Sequence, residues 1–241
     1  MARIDGRAND QLRPVEILPG INRFAEGSCL IRCGNTHVLC TASVEERTPP
    51  HVPEGEGWVT AEYSMLPRAN RERSRRDISK LKLSPRSAEI QRLVGRALRA
   101  AVDLKKLGAR TITIDCDVLQ GDGGTRTASV TGGFVALSYA CWKLVEEGVI
   151  PEMPITTCVA AVSAGIVDDV PMLDLCYEED SSAMVDLNCV MNHEGEIIEL
   201  QGTGEGRAFT IAEQRQLVDL CAKGIREIQA IQKAVLEGGD A

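Results

Sequence analysis

Residues 116–129 read CDVLQGDGGTRTAS, and this stretch runs from a strand through a glycine turn into a helix. Apolar and polar residues alternate over positions 111–118, which is the period of a half-buried β-strand. Gly121, Gly123 and Gly124 follow, and glycine adopts positive φ without steric cost. The apolar-rich residues 127–147 then predict a long helix that ends at Gly148.

Thr125 and Arg126 fall in the first turn of that helix. The first N–H groups of a helix lack partners within it, and the helix dipole adds partial positive charge there. Phosphate binds readily at such a helix start, and an arginine can add a forked charged hydrogen bond. Gly124, Thr125 and Arg126 are therefore candidate phosphate-binding residues, although a glycine turn before a helix is also common as a purely structural turn.

Length and composition exclude several classes of protein. The chain has 241 residues, 44% of them apolar, which supports a sizeable core, and we interpret residues 1–241 as a single domain. No apolar run reaches the ~18 residues needed to span a bilayer, and the N-terminal residues lack the apolar centre of a signal peptide. We therefore expect a cytoplasmic protein without a membrane partner. The nine cysteines include no Cys-x-x-Cys pair, which predicts neither a disulfide framework nor a zinc site.

The charge is unevenly distributed. The chain carries a net charge of −8, which argues against unselective coating of nucleic acid. Residues 68–99 hold eleven basic and three acidic side chains, so this window is +8 and the remainder is −16. A basic segment on an acidic body is typical of a localised contact with a polyanion, although a charged loop such as residues 68–83 is often only solvated. We expect RNA contacts at Arg68, Arg73, Arg76, Arg92 and Arg99.

A second helix is predicted from Ser84 and Pro85, which suit the N-cap and the first helical position, and it extends to Gly108. Its arginines at positions 92, 96 and 99 lie opposite the apolar face. Arg86 is different, since it lies near the start of the apolar face and should point inward, where a cation needs an anionic partner. From the pattern alone, a structural salt bridge with a protein carboxylate is the plain interpretation.

Two acidic residues stand out in the second half. Residues 172–177 and 182–191 are predicted to form paired strands joined at Asp180, a register in which Asp174 faces Asp186 and in which Asp180 and Asp186 converge. Acidic hairpin tips are usually only solvated, but alternation places Asp186 with Asn188 on one face of an otherwise apolar strand. Carboxylates together with substrate phosphate are the usual ligands of Mg²⁺.

The chain resembles the ribonuclease PH family, phosphate-dependent exoribonucleases that trim the 3′ ends of transfer RNA precursors. The resemblance extends from RIDGR at residues 3–7 to QGT at residues 201–203. Four longer stretches carry it: GWVTAEYSMLPR at residues 57–68, RSAEIQRLVGRALRA at residues 86–100, CDVLQGDGGTRTAS at residues 116–129 and DLCYEEDSSAMVDLN at residues 174–188.

The resemblance implies an α+β fold of duplicated β-α-β units, in which mixed β-sheets pack with helices as in ribosomal-protein-type folds. It implies that inorganic phosphate binds Arg86 and the helix start, and that Asp180 and Asp186 are a catalytic pair that binds Mg²⁺. It also implies a reversible reaction that releases nucleoside 5′-diphosphates, and a homohexamer built as a trimer of dimers.

Several alternatives remain at this point. The substrates implied are transfer RNA precursors and other RNA 3′ ends, including those of ribosomal RNA. Asp180 either transfers a proton or serves only as a metal ligand. A non-catalytic RNA-binding subunit of an exosome-like ring is the alternative function, and a plain anion-binding domain is a third, which leaves the basic loop unexplained.

Overall fold

The computed structural model describes residues 3–76, 79 and 82–238. Within them the strands are β1 (Val15–Pro19), β2 (Gly27–Cys33), β3 (Thr36–Glu45), β4 (Trp58–Met65), β5 (Thr111–Gln120), β6 (Val159–Val167), β7 (Val170–Leu173), β8 (Val185–Asn192) and β9 (Ile197–Thr203). The helices are α1 (Pro85–Arg99), α2 (Leu104–Leu107), α3 (Thr125–Glu146), α4 (Tyr177–Asp180) and α5 (Ile211–Glu237). Sheets and helices pack together, so the predicted α+β class is confirmed.

The first sheet has five strands in the order β1-β2-β3-β5-β4. Its pairs are antiparallel except β4 and β5, which are joined through α1 as a β-α-β unit. The alternation predicted for β5 is confirmed, since Ile112, Ile114, Cys116 and Val118 are buried while the residues between them are less so. Strands β2 and β3 form a hairpin that turns at Gly34, whose φ is 54°.

Helix α3 lies between the two sheets and forms the centre of the core. It packs against β2 and β3 on one side and β6 on the other, and a helix covered on both sides must be apolar all round. A Cβ atom at Gly132 would lie 2.8 Å from Ile31 Cγ2, so glycine permits the close approach to the first sheet. By length and composition α3 could cross a membrane, but 78% of its most apolar stretch is buried inside the protein.

Helix α1 is shorter than predicted. Its Ser84 side chain accepts a hydrogen bond from Ser87 N, as an N-cap should, but the helix ends at Arg99 rather than at Gly108. Val102 forms a β-bridge with Ile155, and the Asp103 side chain accepts from the backbone of the next turn and begins α2. The prediction was wrong because apolar spacing alone does not reveal that the Asp103 side chain caps a new helix within the predicted one.

The second sheet has four antiparallel strands in the order β7-β6-β8-β9. The predicted pairing of residues 172–177 with residues 182–191 is wrong. Strand β6 lies between β7 and β8, Gly165 faces Asp186, and residues 177–180 form the short helix α4. Helices α3 and α5 cover the two faces of β6, and this central position favours a strand that is apolar at every residue.

Candidate active site

The glycine turn places the N-terminus of α3, which has no side-chain cap, at a cavity. Gly124 is the N-cap of α3 with φ 66° in the left-handed region, and no side chain caps the helix. A side chain at this position would therefore be strained, and the first-turn N–H groups are left to bind a ligand. The cavity has a volume of about 350 Å³ and is lined by Arg86, Gly124, Thr125, Arg126, Ser163, Asp180, Ser181, Ala183, Asp186, Asn188 and Glu205.

Every predicted phosphate-binding and catalytic residue lines this one cavity. Thr125 is buried, and its hydroxyl is 2.8 Å from the hydroxyl of Tyr63. The prediction that Arg86 points inward rather than to open solvent is wrong, because Arg86 is exposed and lines the open cavity. Among the described residues no carboxylate forms an ion pair with Arg86, so the alternative of a structural salt bridge is also not observed.

Arg126 also lines the cavity, and its guanidinium is held by two residues outside the lining. Its Nη1 donates to Gln201 Oε1 at 2.9 Å and lies 3.4 Å from Glu89 Oε1. The side chain is 19% exposed, which leaves part of the guanidinium open to the cavity. Two guanidinium groups and a helix start thus surround the same space, an arrangement suited to a small anion.

The other wall of the cavity is acidic. Asp180 is the last residue of α4 and Asp186 lies near the start of β8. Burial and the charge of Asp180 raise the pKa of Asp186 to about 6, and burial raises the pKa of Asp180 against the opposing charges of Arg86 and Arg126. Asn188 Nδ2 donates to Asp186 Oδ2 at 3.1 Å, which confirms that these two residues share a face.

Two polar atoms at this wall lack a partner. Asp186 Oδ1 and Ser163 Oγ are buried without a hydrogen bond within the described part of the chain. A buried carboxylate oxygen without a partner costs folding free energy unless a cation or a hydrogen-bond donor binds it. No group of three or more His, Cys, Asp or Glu side chains among the described residues could hold a metal ion. A cation bound by Asp180 and Asp186 would therefore need further oxygens, which Mg²⁺ usually takes from substrate phosphate and water.

A buried charge network joins the glycine turn to the acidic wall. Arg13 donates through Nε and Nη2 to the carboxylate of Asp174, and its Nη1 donates to the backbone oxygen of Asp122. The Asp122 carboxylate accepts from Tyr177 N at the start of α4, and Thr36 Oγ1 donates to Gly123 O. The turn that carries Gly124 and the helix that carries Asp180 are thus bound to each other.

The predicted RNA-binding arginines do not line the cavity. Arg68 lines a separate cavity beside Asn35 and Gln120, and Arg99 stacks on Trp58 and donates to Val59 O. Arg73, Arg76 and Arg92 are exposed. Residues 77, 78, 80 and 81 of the predicted basic loop lie outside the described residues.

Several cavity residues were not anticipated from the sequence. Ser163, Asn188 and Glu205 line the cavity, and Tyr63 contacts it through Thr125. Alternation along β4 indicates that Tyr63 points inward with Val59 and Ala61, but no sequence pattern pairs it with Thr125. Ser163 lies in an apolar strand with no signal beyond its polarity.

Comparisons with known proteins support one family. Models described as 3′ exoribonuclease family, domain 1 and domain 2, match residues 11–142 and 157–223. Ribonuclease PH of Syntrophomonas wolfei is 53% identical over 237 residues, which cover 98% of this chain and 99% of that protein. Ribonuclease PH of Solibacter usitatus is 52% identical over 237 residues, which cover 98% of this chain and 100% of that protein.

Solved structures show the same fold. An archaeal exosome core aligns with a TM-score of 0.78 and 25% identity over 96% of this chain and 91% of its own. An Archaeoglobus fulgidus exosome with RNA bound to the active site aligns with a TM-score of 0.77 and 24% identity over 95% of this chain and 92% of its own.

Proposed function

The chain belongs to the 3′ exoribonuclease family, and on that premise we propose that its cavity performs phosphorolysis of RNA. The protein is a phosphate-dependent 3′→5′ exoribonuclease that releases nucleoside 5′-diphosphates. The observation that carries this proposal is that Arg86, Thr125, Arg126, Asp180 and Asp186 all line one cavity. That arrangement suits an attacking anion facing a phosphodiester.

Phosphate binds between the start of α3 and the two arginines. The backbone N–H groups after Gly124 and the hydroxyl of Thr125 donate to its oxygens, and Arg86 and Arg126 balance its charge. Holding phosphate in line with the terminal phosphodiester replaces a bimolecular encounter by a positioned one. No side chain has to act as a nucleophile.

The bond changes are those of a nucleotidyl transfer. A phosphate oxygen forms a bond to the phosphorus of the last phosphodiester, and the bond from that phosphorus to the 3′ oxygen of the preceding nucleotide breaks. The proton of hydrogen phosphate balances the new 3′ hydroxyl, and the last nucleotide leaves as a diphosphate. The same contacts serve the reverse reaction, in which diphosphates extend RNA.

Asp180 and Asp186 would hold Mg²⁺, which fits the unpartnered Asp186 Oδ1 and the raised pKa of both carboxyls. When bound, the ion supplies positive charge to the oxygens of the transferring phosphorus. The arginines across the cavity favour the charged form of Asp180. Asp180 either moves the proton to the 3′ oxygen or acts only as a ligand, and its exposure to the cavity suits both.

The RNA body is the part of the substrate that the cavity does not hold. We propose that Arg68, Arg73, Arg76, Arg92 and Arg99 contact its phosphates, with transfer RNA precursors as substrates and ribosomal RNA 3′ ends as further ones. We also propose that the protein acts in the cytoplasm as a homohexamer, a trimer of dimers. The cavity admits a single strand, because a paired end cannot thread to it.

The alternative is a non-catalytic RNA-binding subunit of an exosome-like ring. Such a subunit has no need for five charged or polar site residues converging on one cavity, so the geometry favours the enzyme. A plain anion-binding domain accounts for Arg86, Thr125 and Arg126 but not for the two carboxylates opposite them.

One experiment separates these functions. The purified protein is incubated with a 3′-tailed transfer RNA and Mg²⁺, with and without inorganic phosphate, and the released nucleotides are identified. Phosphate-dependent release of diphosphates supports phosphorolysis, and phosphate-independent release of monophosphates indicates hydrolysis instead. RNA binding without release supports the non-catalytic subunit, and phosphate binding without RNA binding supports the anion-binding domain.

A further inference from the structure

Tyr63 is buried beneath the phosphate side of the cavity. It points inward from β4, pairs with Cys116 of β5 in the sheet register and is 2% exposed. A buried tyrosine hydroxyl requires a hydrogen-bond partner, and here the partner is the Thr125 hydroxyl at 2.8 Å. Burial raises the pKa of Tyr63, while its hydrogen bond with Thr125 and the charge of Arg86 act to lower it.

The direction of the hydrogen bond between the two hydroxyls follows from the protons available, because each hydroxyl has one proton and two acceptor positions. When phosphate is bound, its oxygens accept, so the proton of Thr125 is donated into the cavity. The Tyr63 proton then goes to Thr125 Oγ1.

We infer that Tyr63 is a positioning residue for the attacking phosphate, acting through the orientation of the Thr125 hydroxyl. It touches neither the phosphate nor the RNA. This inference rests on the proposed phosphorolysis. It predicts an effect confined to phosphate, because Tyr63 contacts neither Asp180 nor Asp186.

The test compares variants that each remove a single hydroxyl. Tyr63→Phe should raise KM for inorganic phosphate about tenfold and leave kcat and KM for RNA within about twofold, since the lost hydrogen bond acts on phosphate binding. Tyr139→Phe is the matched control. It removes the hydroxyl that donates to Val235 O at 3.0 Å, far from the cavity lining, and should leave all three constants unchanged.

A double variant tests the path through Thr125. If Tyr63 acts through Thr125, adding Tyr63→Phe to Thr125→Val should raise KM for phosphate clearly less than it does in the wild-type background. An unchanged KM for phosphate in Tyr63→Phe, or full additivity in the double variant, overturns the inference while phosphorolysis stands. A wild-type protein that releases no diphosphates overturns the proposed function, and the inference with it.

Discussion

Replacing Arg13 by an uncharged residue should destabilise the protein strongly, because it leaves the buried carboxylate of Asp174 without its main ion-pair partner. Burial tends to raise the pKa of Asp174, but the charge and hydrogen bonds of Arg13 outweigh it and hold that pKa below its ordinary value of 3.8. Both side chains are nearly inaccessible, at 4% and 7% exposure. In Arg13→Met the carboxylate keeps the backbone N–H of residue 13 at 2.8 Å and the more distant Arg7 at 3.6 Å.

The size of the effect follows from that geometry. Breaking a buried pair by removing one partner costs about 3–5 kcal/mol, and the remaining donors place Arg13→Met at the lower end of this range, near 3 kcal/mol. A change of about 1 kcal/mol shifts Tm by about 2–4 °C for a chain of this length. Thermal unfolding should therefore show Tm lowered by roughly 6–12 °C.

The control removes both charges. Asp174 has a φ of 52°, which asparagine also tolerates, so Asp174→Asn keeps the backbone and the shape. The double variant Arg13→Met with Asp174→Asn should recover much of the loss, because no charge remains buried without a partner. If Arg13→Met unfolds within 2 °C of the wild type, or if the double variant is as unstable as the sum of the singles, the pair does not stabilise the fold in this way.

Acid should weaken the same pair. Since the folded pKa of Asp174 lies below the unfolded value of 3.8, its contribution to stability is full above pH 4 and is lost as pH falls below that value. Three further outcomes are expected. Arg126→Ala should lower kcat/KM for phosphate about 100-fold in phosphorolysis assays, with Tm little changed because its partners are partly exposed; near-normal turnover at low phosphate would contradict its role. Replacing Arg73 and Arg76 by alanine should weaken binding of structured RNA and flatten its salt dependence, with little effect on a short oligonucleotide; equal losses on both would indicate a folding defect. In metal-free buffer Asp186→Asn should be more stable than the wild type at pH 8. The folded pKa of Asp186, about 6, lies above the unfolded one, so the wild-type protein loses stability as pH rises from about 4 to 6. The advantage of the variant should shrink in unfolding measured at pH 5, and an equal advantage at both pH values would refute this.

Local patterns were sufficient for most individual elements. The alternation of β5, the glycine at the start of α3 and the Ser84 cap of α1 each involve residues close together in the chain. Their physical causes, side-chain period and backbone capping, act over a few residues. The phosphate-binding and acidic residues could also be named, because the motifs that carry the resemblance include them.

Sheet pairing was beyond those patterns. Residues 172–177 and 182–191 are separated by a short acidic segment that favours a hairpin, yet β6 lies between the two strands. The apolar sequence of β6 is consistent with a central strand. Its pairing with β7 and β8, however, depends on how the helices pack on its two faces. Asp180 and Asp186 still reach the same cavity, because α4 brings Asp180 back over the start of β8.

The sequence by itself determined the class of fold, the helix start that binds an anion and the identity of the charged residues around it. Only the tertiary structure decided that Arg86 faces an open cavity, that Tyr63 supports Thr125 and that Arg13 joins the glycine turn to Asp174. The physical reason is distance along the chain. Arg13 and Asp174 are 161 residues apart and Tyr63 and Thr125 are 62 apart, and contacts at such separations depend on how the sheets and helices pack.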